Sequence, residues 1–313
     1  MPKAVQHEIN LFELIDRFGD NDKCREYLEA LRFPDGVYCI RCESKKISRI
    51  VKRNQFMCDE CKYQFSPMAG TIFHDTHLPL TKWFAAVYLM CESRKGISAN
   101  QLKRTLKVAY KTAWYLSHRI REAMKSADDR MSGTLEVDET RVGGKFENMH
   151  NSKRKQYKDK RGPHGNKIIA IGALQRGGKV KLEKIADLSR PTLHKFIREQ
   201  LGPDAERVMT DEWWGYDGID STGVKHEKVN HGHKEYVRAG TDIYTNGIEN
   251  VFSLLKRSIM GSFHHVSEKH LDRYLDELEH RFNNRNNPYL FRDTILKLIQ
   301  SGNLEYKDLT KAD

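Results

Sequence analysis

The chain has 313 residues, of which 38% are hydrophobic and 31% charged, and it carries a formal charge of +11. No apolar run is long enough to span a bilayer, and the first residues lack the apolar core of a signal peptide, so a membrane or secreted protein is not expected and the cytoplasm or nucleoid is. The excess charge is concentrated, with nine Lys/Arg against one acid from Arg94 to Lys125 and twelve against two from Arg141 to Lys181. That clustering suits a surface that follows a phosphate backbone.

In chain order, an amphipathic N-terminal segment comes first. Two cysteine pairs follow, Cys39-Ile-Arg-Cys42 and Cys58-Asp-Glu-Cys61, fifteen residues apart. Two knuckles on facing hairpins at this spacing suit one tetrahedral Zn²⁺, held by Cys39, Cys42, Cys58 and Cys61. Disulfides are the alternative, and a reducing compartment disfavours them. Ile40-Arg41 and Glu43 stand where many knuckles have Pro and Gly. Cys24 and Cys91 fall in helical stretches and read as small buried hydrophobes.

Three helices are expected between Leu80 and Met124. The first is stopped near Gly96 and the second is capped by Ser98. The third starts near Lys111, after a break at Lys107 where glycine would fit better. A helix-turn-helix would place Lys103, Arg104, Lys111, Thr112 and Arg119 against DNA. A plain three-helix bundle with a solvated basic face fits the same pattern.

After Gly133 the sequence turns to short β-branched runs, then a helix led in by Pro191, then a strand ending at Asp211. This order implies a mixed α/β layer beginning with a three-strand meander, consistent with an RNase H-like sheet flanked by helices. Asp138 lies in an apolar run with Leu135, Val137 and Val142, and Asp211 closes another. Glu249 sits in a helical stretch from Asn246 to Met260, with Lys256 two turns later on the same face. Lys145, in a Gly-rich basic stretch, and Arg257 are further DNA-facing candidates. The loop from His150 to Gly165 is expected to order on nucleic acid. Arg281 and Arg285, on a helix from Lys269 to Asn283 and just beyond it, are weaker candidates. His226, His231, His233, His264 and His265 match no metal pattern, so no second zinc is expected. Tyr216 and Tyr244 read as structural or stacking residues. The expected domains are 1–75 (N-terminal helix and ribbon), 76–131 (helical DNA-binding module) and 132–302 (catalytic), with a tail at 303–313.

The ordered fragments QFSPMAGTIFHDTHLPLTKW, VDETRVGGK, TDEWWGY, TNGIENVFSLLKRSIMGSFHHVS and HLDRYLDELEHRFNNR resemble bacterial insertion-sequence transposases that carry an N-terminal zinc ribbon. The resemblance implies a DDE triad at Asp138, Asp211 and Glu249, with Lys256 as the downstream basic residue. Some relatives carry a different third residue, which keeps Asn246 and Asn250 as alternatives. It also implies two Mg²⁺ or Mn²⁺ ions, about 3.5–4 Å apart, cleavage that frees a 3′-hydroxyl, and joining of that end to target DNA. The implied partners are transposon-end DNA, target DNA and a second copy of the chain when two ends are paired. A catalytically silent DNA-binding protein and a metal-dependent nuclease remain alternatives.

Overall fold

The computed structural model describes residues 8–126, 130–144, 150–151, 167–229 and 242–311. The chain divides into two compact units, Met1–Met124 with Asn286–Asp313, and Lys125–Arg285.

In the first unit, α1 (Leu11–Phe18) opens with a capping box. Asn10 Oδ1 accepts from the Phe12 and Glu13 amides, and Glu13 returns a bond to the Asn10 amide at 2.8 Å. Asp20 caps α2 (Asn21–Arg32). A three-stranded antiparallel sheet follows, β1 (Ile47–Ile50), β2 (Gln55–Cys58) and β3 (Gln64–Phe65). The helices α3 (Leu80–Glu92), α4 (Ala99–Leu106) and α5 (Tyr110–Met124) come next. Ser98 caps α4 through the Gln101 amide at 3.1 Å, as its position before an apolar-periodic run requires. The turn into α5 passes through Lys107 in the left-handed region, φ 49°.

Two separate apolar clusters hold this unit. One joins α1 and α2 to α3, α4, α5 and α9 (Leu290–Gln300) through residues such as Phe18, Leu28, Phe84, Leu102, Ile120 and Ile295. The other lies inside the small sheet around Phe33, Phe56 and Phe65. Two expected boundaries therefore shift. The N-terminal helices share a core with the helical module rather than with the ribbon, so a boundary at 75/76 cuts one core. Helix α9, expected in the catalytic domain 132–302, belongs to the first unit because its apolar stripe packs against α3 and α5. Short α10 (Tyr306–Thr310) lies in the same unit.

The second unit is built on a five-stranded sheet. Its strands are β4 (Met131–Val142), β5 (Ile168–Gln175), β6 (Val180–Ile185), β7 (Leu201–Asp211) and β8 (Lys225–Val229), in spatial order β6-β5-β4-β7-β8. The β4-β5-β6 meander is antiparallel, and β7 and β8 are added parallel. Helix α6 (Arg190–Gln200), with Pro191 in its first turn, covers one face over Leu135, Val137 and Val208. Helices α7 (Asn246–Ser258) and α8 (Leu271–Asn283) cover the other over Ala170, Leu174 and Leu182. This is the RNase H-like order, a meander followed by parallel additions, with helices on both faces. Among the described residues no helix is long and apolar enough to cross a membrane.

Candidate functional sites: a cysteine cluster and an acidic centre

The four cysteine sulfurs converge. Cys39 Sγ lies 3.6 Å from Cys61 Sγ, Cys42 Sγ lies 3.6 Å from Cys58 Sγ, and all four fall within 4.8 Å of one another. A tetrahedron with Zn–S bonds of about 2.3 Å has sulfur–sulfur edges of about 3.8 Å, so the cluster already has the size of a zinc site. The Arg41 amide points at Cys39 Sγ and the Cys61 amide at Cys58 Sγ, each at 3.4 Å. Burial raises the Cys39 thiol, yet the amides of Arg41 and Cys42 and the neighbouring thiols outweigh it and bring it down to about 7. The Cys58 thiol is lowered chiefly by the Cys61 amide. The Ser44 amide lowers the Cys42 thiol, yet the surrounding thiols outweigh it and push it up to about 12, so Cys39 and Cys58 are the sulfurs disposed to be thiolates while Cys42 keeps its proton.

The residue after each pair adopts a left-handed backbone, Glu43 at φ 61° and Lys62 at φ 59°. Both are non-glycine residues in a region that disfavours a Cβ. Glu43→Gly and Lys62→Gly should therefore each stabilise the zinc-loaded ribbon by about 0.5–1 kcal/mol, read as resistance to thermal zinc release. Cys24 and Cys91 are buried away from this cluster, and burial pushes the Cys24 thiol up to about 12, as inert core thiols require.

The acidic centre is assembled by strand register. Glu136 and Met209 are the last pair of the parallel β4–β7 ladder, and Asp138 and Asp211 each lie two residues beyond it on their strands, where the Asp211 charge acts on Asp138. Asp138 is opposite Gly172 on β5, where a Cβ would come within 2.8 Å of Ile248 Cδ1 and 3.1 Å of Phe252 Cζ. Asp138 therefore faces α7, and α7 carries Glu249. Burial raises the Asp138 carboxyl first, and the charges of Glu139, Asp211 and Glu249 add to it against one amide bond from Glu139, giving about 7. Carboxylates at Asp138, Asp211 and Glu249 would be a hard-oxygen donor set suited to divalent cations. Among the described residues the four cysteines are the one group of three or more His, Cys, Asp or Glu side chains placed to hold a metal ion, and the three acids are not drawn together in that way. Asp211 Oδ1 accepts from the Trp213 amide at 3.0 Å, and the Thr245 hydroxyl donates to Glu249 Oε1 at 3.4 Å. Asn246 is half-buried, whereas Asn250 is exposed.

The raised Asp138 carboxyl has a consequence for the metal-free protein. The folded state retains a proton that the unfolded chain releases, so the stability tied to this group falls as pH rises from about 4 to about 7. Asp138→Asn removes the penalty. In chelator, its stability advantage over wild type should widen by about 2 kcal/mol between about pH 5.5 and about pH 8, measured by denaturant titration.

Residues 130–283 match the ISXO2-like transposase domain, and residues 19–64 match the transposase zinc-ribbon domain. The chain belongs to the ISXO2-like transposases. It is 32% identical over 126 residues to an "uncharacterized transposase-like protein" of Haemophilus influenzae, covering 97% of that protein and 40% of this chain. It is 28% identical over 255 residues to an "uncharacterized protein in transposable element ISH50" of Halobacterium salinarum, covering 84% of that protein and 78% of this chain. The matched ribbon and the four-cysteine cluster together support a structural zinc in this transposase.

The sequence-based DNA-facing candidates separate by exposure. Lys103 and Arg104 on α4, Lys111 at the start of α5, and Lys256 and Arg257 on α7 are exposed, and Thr112 is half-buried. Lys111 lies over the Tyr306 ring, with Nζ 4.2 Å from its centroid. Lys145, His231 and His233 lie outside the described residues, as does most of the loop from His150 to Gly165.

Arg119 is a correction. It is only 5% exposed, bonds the carbonyls of Ile72 and His74 and the Asn303 side chain, and stacks on Trp83 and Tyr115. Helix α5 is buried continuously from Leu116 to Arg121, and its exposed residues are Tyr110 and Lys111 in the first turn. Arg281 is likewise buried and pairs with Glu277, and Arg285 caps the carbonyls of Gly178 and Phe282. His226 shares a hydrogen bond with Thr210 Oγ1 at 2.9 Å on the sheet, a structural contact.

The sequence reading passed over two acids on either side of Asp138. Glu139, on the α6 face, accepts a 2.6 Å bond from the hydroxyl of Tyr216, which is fully buried and so fastens the segment after Asp211 to β4. Glu136, on the α7 face, is 1% exposed and bonds the Ile248 amide and Arg176. The available signal was the run Glu-Val-Asp-Glu itself, because alternation places Glu136 and Asp138 on one face and Glu139 on the other.

Proposed function

We propose that this transposase is a DDE enzyme that cuts transposon-end DNA to free a 3′-hydroxyl and joins that end to target DNA. What supports the reading is the placement of Asp138 and Asp211 on adjacent strands, with the charges of Asp211 and of Glu249 on α7 both acting on the buried Asp138 carboxyl. Two bound Mg²⁺ or Mn²⁺ ions would activate the attacking oxygen and stabilise the leaving one. The chain's own contribution is to hold hard oxygen ligands rigidly, Asp138 and Asp211 on neighbouring strands and Glu249 on a helix packed over them. Lys256, seven residues after Glu249 and exposed on the same helix, is available to contact phosphate near the scissile bond. Lys103, Arg104 and Lys111 would contact end DNA, chiefly through phosphates. Two copies of the chain would pair two ends.

The test uses purified protein and labelled end DNA with Mg²⁺ or Mn²⁺, scoring 3′-end nicking and insertion into a plasmid. Both products are expected. Nicking without joining would assign a nuclease instead, and end binding without any cut would assign a silent DNA-binding protein.

A further inference from the structure

The strand that carries Asp138 also grips the helix that carries Glu249. Glu136 lies two residues before Asp138 on the same face, and its carboxylate is buried. One oxygen, Oε2, accepts the Ile248 amide at 3.1 Å, and the other, Oε1, accepts Arg176 Nε at 2.9 Å. Ile248 is in the first turn of α7, where amides have no partner inside the helix and the helix dipole favours an anion. Gly247 makes this approach possible, since a Cβ there would stand 2.6 Å from Glu136 Oε2 and 2.6 Å from Leu174 Cδ2.

Arg176, in the turn between β5 and β6, completes the grip. Its own amide bonds the Thr134 carbonyl on β4 at 3.0 Å. Its Nη1 donates to the Asp242 carbonyl at 2.8 Å, its Nη2 donates to the Tyr244 carbonyl at 3.0 Å, and its guanidinium stacks 3.7 Å from the Tyr244 ring centroid. Arg207 on β7 holds the Asp242 carboxylate through two bonds, at 3.0 and 2.6 Å. The segment entering α7 is thus tied to β4, β5 and β7 immediately before the turn that bears Glu249.

A buried ion pair of this kind is a poor source of stability, because desolvation offsets most of its attraction. What it supplies is direction. We propose that Glu136, oriented by Arg176, is a positioning residue that fixes the first turn of α7 and so sets Glu249 against Asp138 for metal binding. This rests on the reading of Glu249 as a metal-binding acid.

The test uses the full chain with Mn²⁺ and three readouts: calorimetric Mn²⁺ affinity, amide exchange across residues 246–252, and melting temperature in chelator. Glu136→Met, close in volume and without charge, leaves Arg176 and the Ile248 amide without their acceptor and is expected to melt below wild type while remaining folded. It should bind Mn²⁺ at least ~10-fold more weakly and exchange the first-turn amides of α7 at least ~10-fold faster. Glu136→Gln, which keeps an acceptor for the Ile248 amide, should recover part of both losses. Should the Met variant fail to fold, Arg176→Lys, which keeps the charge but loses the fork, reads the same quantities. Wild-type Mn²⁺ affinity in these variants, with affinity lost in Glu249→Gln, would overturn the positioning role alone. Unchanged affinity in Glu249→Gln would instead overturn the assignment of Glu249, and this role with it.

Discussion

Asp138→Asn, Asp211→Asn and Glu249→Gln should each lower Mg²⁺-dependent end cleavage and strand transfer by at least ~1,000-fold, while zinc content and end binding stay close to wild type. Each exchange keeps volume and removes one negative charge from the proposed metal site. The three acids act together, so a double substitution should be hardly worse than a single one. Local folding should survive Asp138→Asn, because burial first and then the charges of Glu139, Asp211 and Glu249 push that carboxyl up to about 7, a penalty a neutral amide does not carry. Lys256→Ala should cost less, since the role proposed for Lys256 is a phosphate contact and not metal binding. The decisive comparison is Glu249→Gln against Asn246→Ala and Asn250→Ala. Full activity in the first and none in either of the others would move the third ligand to the asparagine.

How much of this was legible in the sequence depended on which force set each element. Strand β5 was readable as a near-continuous apolar run, and β4 and β6 as β-branched and apolar residues alternating with polar ones. The strand acids stood out as charges inside those runs. Strand β8 was not readable, since Lys-His-Glu-Lys-Val has one apolar residue and forms a sheet edge whose ladder bonds, not its side chains, define it. Helix α9 was not read as an element, and its residues fell by position alone into the expected domain 132–302, whereas it is the core its apolar stripe joins that assigns it. Arg119 failed for a related reason. Counting basic residues along α5 treats every Lys and Arg as solvated, whereas this one is surrounded by Trp83, Tyr115 and three oxygen acceptors. The paired roles of Glu136 and Glu139 needed the partner residues Ile248 and Tyr216, which lie 112 and 77 positions away.

Cys58→Ser should release the single zinc and unfold the ribbon, while the helical core of the same unit and the catalytic sheet keep their structure. A serine hydroxyl does not ionise near neutral pH and is a hard donor, so three thiolates remain where four were needed. Structural zinc binding in small modules is worth on the order of 10 kcal/mol, and in a ribbon this small that free energy is the folding free energy. The apolar alternative is thin. Phe33, Phe56 and Phe65 form the centre of the ribbon cluster, together with the ligands Cys39 and Cys58 themselves. That cluster is separate from the one built by α1–α5 and α9, so its loss need not propagate. Elemental analysis should find one zinc per chain in wild type and none in the variant. Exchange should rise across residues 37–65 and remain slow in α3, α5 and β4. A wild-type protein purified without zinc, or a variant whose helical core exchanges as fast as its ribbon, would contradict this separation.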